Sequence, residues 1–195
     1  MVFLRPLQCT NCGNPITAKA RDRILICSKC QNIMEFLEGD VKKVDSTIAK
    51  FKKNANYERL YMPFWVINTD IKVNKEKILG GKVMRFLKQE KKMAGNQNLY
   101  VCAADISADT VKEWNVEYTL RPPAIEADTD FHGVPRIPAW MENPDARKHA
   151  EFMFLRHETE ISGTLQEIDY EFTINSHKLV YMPFYKNGNK YIPAI

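Results

Sequence analysis

A chain of 195 residues with 45% apolar side chains holds enough material for one ordinary domain and a small satellite. No apolar run reaches 18 residues, and the opening "MVFLRPLQCTNC" is too short and too soon interrupted for a secretory leader, so a cytoplasmic protein without a transmembrane segment is expected. The formal charge of +4 hides a division: residues 1–40 are nearly neutral, residues 41–92 carry fourteen Lys/Arg against five Asp/Glu, and residues 93–195 carry nine against fifteen. A basic middle and an acidic remainder serve an anionic partner or neutralise each other in the fold.

The first predicted element is built on "CTNCGNPITAKARDRILICSKC", which supplies Cys9, Cys12, Cys27 and Cys30 as two CxxC pairs. Two residues between thiolates let a tight turn aim both sulfurs at one ion, and two such knuckles complete a tetrahedral sulfur shell that suits zinc. Gly13 offers the left-handed residue that such a knuckle uses. Around the pairs, "RILIC" reads as a strand and "NIMEFLEGDVKKV" as two more about Glu38-Gly39-Asp40. With rubredoxin-like knuckles, residues 7–45 resemble a zinc ribbon, a broad family of small metal-stabilised β units. The resemblance implies one structural zinc ion with all four positions taken by thiolate. A thioredoxin-like redox site would use a single CxxC opening a helix, a pattern not seen here. Cys102 reads as a buried apolar residue.

Further along, "YMPF" occurs at residues 61–64 and again at 181–184, followed by "YVCA" at 100–103 and "YIPA" at 191–194. Asn187-Gly188 makes the second copy a β-hairpin. The first is then a related hairpin whose turn carries an insertion of about residues 74–98. The proline inside each strand predicts edge or bulged positions. Within the insertion, Leu79, Val83, Phe86, Leu87 and Met93 fall in one helical arc of about 120°. Lys77, Lys82, Arg85, Lys88, Lys91 and Lys92 lie on the other side. Such a basic amphipathic helix either packs on the core with its lysines in water or meets nucleic acid, an anionic membrane surface or a protein groove. Lys82, Arg85, Phe86, Lys88, Lys91 and Lys92 are its candidate binding residues.

Toward the C-terminus, "DISADTVKEW" reads as a short helix, "NVEYTL" as a strand, and "AIEADTDFHGVPRIPAW" as a surface loop. Asn143-Pro144-Asp145 begins a helix that buries Ala146, Ala150, Met153 and Phe154. "LQEIDYEFTI" alternates as a strand. His149, His157, Glu151, Glu158 and Glu160 read as solvated charges, and Asp128, Asp130 and His132 as a small ligand cluster in the loop. The expected architecture is α+β, a ribbon at 1–45 followed by a mainly antiparallel domain at 57–195. No phosphate loop, dinucleotide turn or nucleophile elbow occurs. With aromatics such as Trp65 and Trp140 expected at the surface, the chain reads as a non-enzymatic adaptor or assembly subunit with a protein partner or as a homo-oligomer. The alternative is nucleic-acid binding through the basic 72–92 segment.

Overall fold

The structure, a computed structural model, describes residues 7–18, 21–79, 93–162 and 164–195. It is α+β, with two β-sheets and two long helices among the described residues. Strands β1 (Ile24–Ile26), β2 (Ile33–Leu37) and β3 (Asp40–Lys43) form a three-stranded antiparallel ribbon sheet. The β2–β3 turn places Glu38 and Gly39 at φ of 54° and 88°, so a glycine serves the more open of two left-handed positions.

The larger sheet is organised around β5 (Glu58–Leu79) and β8 (Thr164–Asn187), antiparallel along their whole length. Its order is β6 (Gly95–Cys102), β5, β8, β4 (Ser46–Ala49) and β7 (Ala127–Asp128), with β9 (Lys190–Pro193) also on β8. The sheet thus takes in Ser46–Ala49, upstream of residue 57. Strand β4 runs parallel to β8, and every other pairing between these strands is antiparallel.

The two YMPF segments face each other, with Met62 opposite Met182, Tyr61 opposite Pro183 and Pro63 opposite Tyr181. Both prolines therefore lie in central strands, which corrects the edge expectation. The reason is local. Ala103 N–H donates to Pro63 O at 2.9 Å and Ala194 N–H to Pro183 O at 3.0 Å. Each proline's carbonyl, and so its nitrogen, turns away from the β5–β8 ladder, and the missing donor is not needed there.

Residues Leu60–Ile67 form a continuous buried run because the sheet is covered on both faces. Tyr61, Trp65, Ile67, Leu179 and Tyr181 point to one core, and Leu60, Met62, Phe64, Val66, Val180, Met182 and Phe184 to the other. Trp65 is fully buried and donates its indole N–H to Met141 O at 3.0 Å, so it is a core residue and not a surface aromatic. The first core is closed by helix α2 (Asn143–Ser162) through Ala146, Ala150, Met153 and Phe154, and by Ile24, Ile33 and Val44 of the ribbon. The second is closed by helix α1 (Ala108–Leu120) through Trp114 and Tyr118.

Helix α1 absorbs "NVEYTL", where a strand was expected. Tertiary context overrides the β preference of Val, Tyr and Thr. Asn115 Oδ1 accepts the Cys102 N–H at 2.8 Å and Thr119 Oγ1 accepts the Tyr100 N–H at 3.0 Å. Spaced i, i+4 on one helix face, the two side chains satisfy two outward amides at the C-terminal end of β6, where the helix covers the edge. Near the expected insertion, β5 runs on to Leu79 and β6 begins at Gly95, so Lys77 and Leu79 belong to a strand and not to a helix.

The ribbon is fastened to the body by a buried polar joint. Asp22 Oδ2 receives Arg136 Nη2 at 2.7 Å, and its Oδ1 receives the N–H groups of Ile24 at 3.2 Å and Ala139 at 3.1 Å. Arg136 also donates to Ile24 O and lies 5.9 Å from the Tyr181 ring centroid. Buried Glu35 accepts the N–H of Asn143 at 2.6 Å, a carboxylate at the first residue of α2, where the helix dipole favours negative charge. The loop expected to lie on the surface therefore carries Arg136 and Ala139 into the interior.

Candidate metal centre

The two CxxC turns have the same backbone plan. Cys9 N–H donates to Asn14 O at 2.9 Å and Gly13 N–H returns to Cys9 O at 2.9 Å. Likewise Cys27 N–H donates to Asn32 O at 3.0 Å and Gln31 N–H to Cys27 O at 2.9 Å. Gly13 and Gln31 occupy equivalent left-handed positions, with φ of 68° and 57°. A non-glycine residue there costs on the order of 1 kcal/mol, which the knuckle as a whole offsets. The equivalence is visible in "CTNCGN" and "CSKCQN", where each second cysteine is followed two residues later by asparagine. Sequence reasoning singled out Gly13 but passed over Gln31, Asn14 and Asn32.

These turns bring four sulfurs together, with all ligand atoms within 4.8 Å of one another. Across the knuckles, Cys9 Sγ is 3.5 Å from Cys30 Sγ and Cys12 Sγ is 3.6 Å from Cys27 Sγ. A tetrahedral ion with metal–sulfur bonds of about 2.3 Å would set its sulfurs roughly 3.8 Å apart, so the cluster is already near ligating geometry. Cys9 and Cys27 are buried, Cys30 is half-buried and Cys12 is exposed. Beneath them, Leu25 and Met34 complete a small apolar cluster.

The surrounding donors are arranged for sulfur that carries negative charge. Asn11 N–H points at Cys9 Sγ at 3.4 Å, and Asn32 Nδ2 lies 3.8 Å from the same sulfur while also reaching Thr10 Oγ1 at 3.3 Å. The Asn11 side chain, then the Asn32 amide, draw the Cys30 thiol down to about 6. For Cys12 the Asn14 amide acts downward, yet burial and the three neighbouring sulfurs push it up to about 12. Four thiols this close cannot all ionise against their mutual repulsion. A divalent cation at their centre supplies the missing charge and deprotonates a bound thiol outright.

Among the described residues, this is the group of three or more metal-type side chains whose ligand atoms converge. The loop cluster does not converge. His132 Nε2 is 2.8 Å from Asp128 Oδ1 and its Nδ1 is 3.1 Å from Asp130 Oδ1, so the ring is clamped between two carboxylates on opposite sides. On α2, the residues expected to be solvated divide. His149 is exposed, but His157 and Glu158 are buried, and Glu158 accepts the Met93 N–H at 3.3 Å. Glu151 accepts Tyr170 Oη and Glu160 receives Lys112, each on its own side of the helix. Cys102 is buried in the second core, and burial pushes its thiol up to about 12.

Lys82, Arg85, Phe86, Lys88, Lys91 and Lys92 lie outside the described residues. Among the described residues, charges of the basic middle meet the acidic remainder. Lys72 is 3.0 Å from Glu171, Lys75 is 3.9 Å from Glu167 and Lys50 is 2.6 Å from Glu126. Among the described residues, no helix is long and apolar enough to cross a membrane. Comparison with family models, with curated proteins and with solved structures finds no match to this chain.

Proposed function

We propose that the protein is a zinc-stapled interaction module, a ribbon fixed on an α+β body, that serves as an adaptor or subunit of a larger assembly and does not catalyse a reaction. The observation that carries this reading is the convergence of four sulfurs on one point. Four thiolates fill a tetrahedral shell and leave no position for the water or substrate that a catalytic zinc needs. Zinc is the preferred ion because an all-sulfur tetrahedral site takes zinc or iron, and zinc holds it without redox chemistry. The matched hydrogen bonds at Pro63 and Pro183 support treating the body as two related strand-pair units.

Protein purified without chelator is expected to contain one zinc per chain by elemental analysis, and cobalt substitution should give intense sulfur-to-metal charge-transfer bands. Stoichiometric iron, or no metal at all, would overturn the reading.

A nucleic-acid-binding role remains the second reading, favoured by eight Lys/Arg against two Glu over residues 72–92. The ion pairs made by Lys72 and Lys75 work against it. Reversing Lys88, Lys91 and Lys92 to Glu decides between the two. A nucleic-acid binder loses salt-sensitive affinity, whereas under the adaptor reading the parent protein binds neither RNA nor DNA.

A further inference from the structure

Away from the metal centre, a cavity of about 280 Å³ opens where α1 and α2 converge beside the edge strand β6. Its walls are apolar, including Val101, Ala104, Met141 and Met153. At the same cavity stand two large apolar side chains that the fold leaves in water, Trp140 at 47% and Phe152 at 61% exposure. Trp140 is tethered there, its indole N–H bonded to Ala104 O at 3.1 Å. Methionine walls adapt to the shape of what enters, and exposed aromatics at a concave apolar site mark a place where something binds.

The charged groups that line the cavity add a chemical preference. They are Lys112 and Arg156 against a single acid, Asp105. Asp105 lies 3.9 Å from Arg21. Arg156 Nε and Lys112 Nζ both reach Glu160 Oε1, at 3.0 and 2.9 Å. Glu160 takes the guanidinium at Nε, so Arg156 stands on the rim beside Lys112. A planar guanidinium beside an apolar hollow suits a carboxylate attached to an apolar body. For scale, an apolar cavity of about 150 Å³ admits benzene, so this one takes a medium-length alkyl chain or a fused-ring aryl group.

We propose that this cavity binds a small amphipathic carboxylate, its apolar body between α1 and α2 and its carboxylate at Arg156. The site is separate from the metal centre, so the two stand or fall independently. The test titrates octanoate and 1-octanol, each below the concentration at which it aggregates, into the full chain as purified without chelator and carrying ¹³C-methyl methionine. Saturable shifts of the Met141 and Met153 methyl signals are expected, with octanoate binding about tenfold tighter than 1-octanol, the worth of one charge-assisted hydrogen bond at a half-wetted rim. Arg156→Gln should weaken octanoate about tenfold and leave 1-octanol unchanged. Val111→Trp, which fills the cavity from a half-buried position on α1, should abolish binding of both while a melting curve shows the fold intact. Absence of saturable shifts, equal affinity for the acid and the alcohol, or undiminished octanoate binding by Arg156→Gln would overturn the proposal. The comparison in unaltered protein decides even if Val111→Trp does not fold.

Discussion

Replacing Asp22 by Ala tests how the ribbon is held to the body. The carboxylate is buried, accepts two backbone N–H groups and receives Arg136 at 2.7 Å, while the arginine side chain keeps only 21% of its surface exposed. Truncation leaves a nearly buried cation without its partner, which typically costs about 3–5 kcal/mol. It also orphans the Ile24 and Ala139 amides, each worth about 1–3 kcal/mol when no water replaces the acceptor. These losses overlap, because one local relaxation admits water to all three groups, so about 3–5 kcal/mol is the expected total. Against a domain stability of about 5–15 kcal/mol this is a large fraction. In a chain of this size it lowers the melting temperature by roughly 6–20 °C. Asp22→Asn separates the contributions, since its amide oxygen can still accept both backbone N–H groups while the charge is gone. Adding Arg136→Met to Asp22→Ala removes the stranded cation and should restore about 1–2 kcal/mol. Urea unfolding of the parent, these three variants and Arg136→Met alone, with zinc content measured alongside, separates undocking of an intact ribbon from loss of the metal. A cost below about 1 kcal/mol for Asp22→Ala, or a double variant as unstable as the sum of the single changes, would refute a buried charge joint.

Other expectations follow from the same geometry. Cys27→Ser should abolish stoichiometric zinc binding and, because Ile24, Ile33 and Val44 belong to the main core, should also lower the unfolding midpoint of the body. A midpoint unchanged from the parent would show the ribbon to be energetically separate. Asn115→Ala removes the acceptor of the Cys102 amide and should cost about 1–3 kcal/mol. The check is hydrogen exchange, in which protection at Cys102 should fall while amides at the centre of the β5–β8 ladder keep theirs. His132 should titrate above its ordinary value of 6.5, chiefly because Asp128 hydrogen-bonds the protonated ring, and Asp128→Asn should bring the NMR midpoint back down. A raised folded-state value means that this small contribution to stability is complete below pH 6.5 and fades as pH rises through the folded-state midpoint.

What could be read from the sequence alone was whatever short spacing fixes. Two CxxC pairs determine that four sulfurs can meet, because a knuckle is closed by hydrogen bonds between residues four and five apart. Glu38-Gly39 determines a turn, and Asn143-Pro144-Asp145 opens a helix whose i, i+4 apolar positions face the core. Partner choice across the chain is a different matter. Nothing near Trp65 says that its indole will meet Met141 O, 76 positions away. "NVEYTL" has the composition of a strand and becomes helix because an exposed edge of β6 needs acceptors at the spacing that Asn115 and Thr119 provide. Pro63 and Pro183 sit in the middle of a sheet because the neighbouring strands end beside them, a fact of register and not of composition. His157 and Glu158 are polar in any sequence reading, and only the packing of α2 buries them. Local chemistry depends on residues a few bonds apart and survives without the rest of the fold. Burial and pairing depend on which distant surfaces meet, and only tertiary structure decides that.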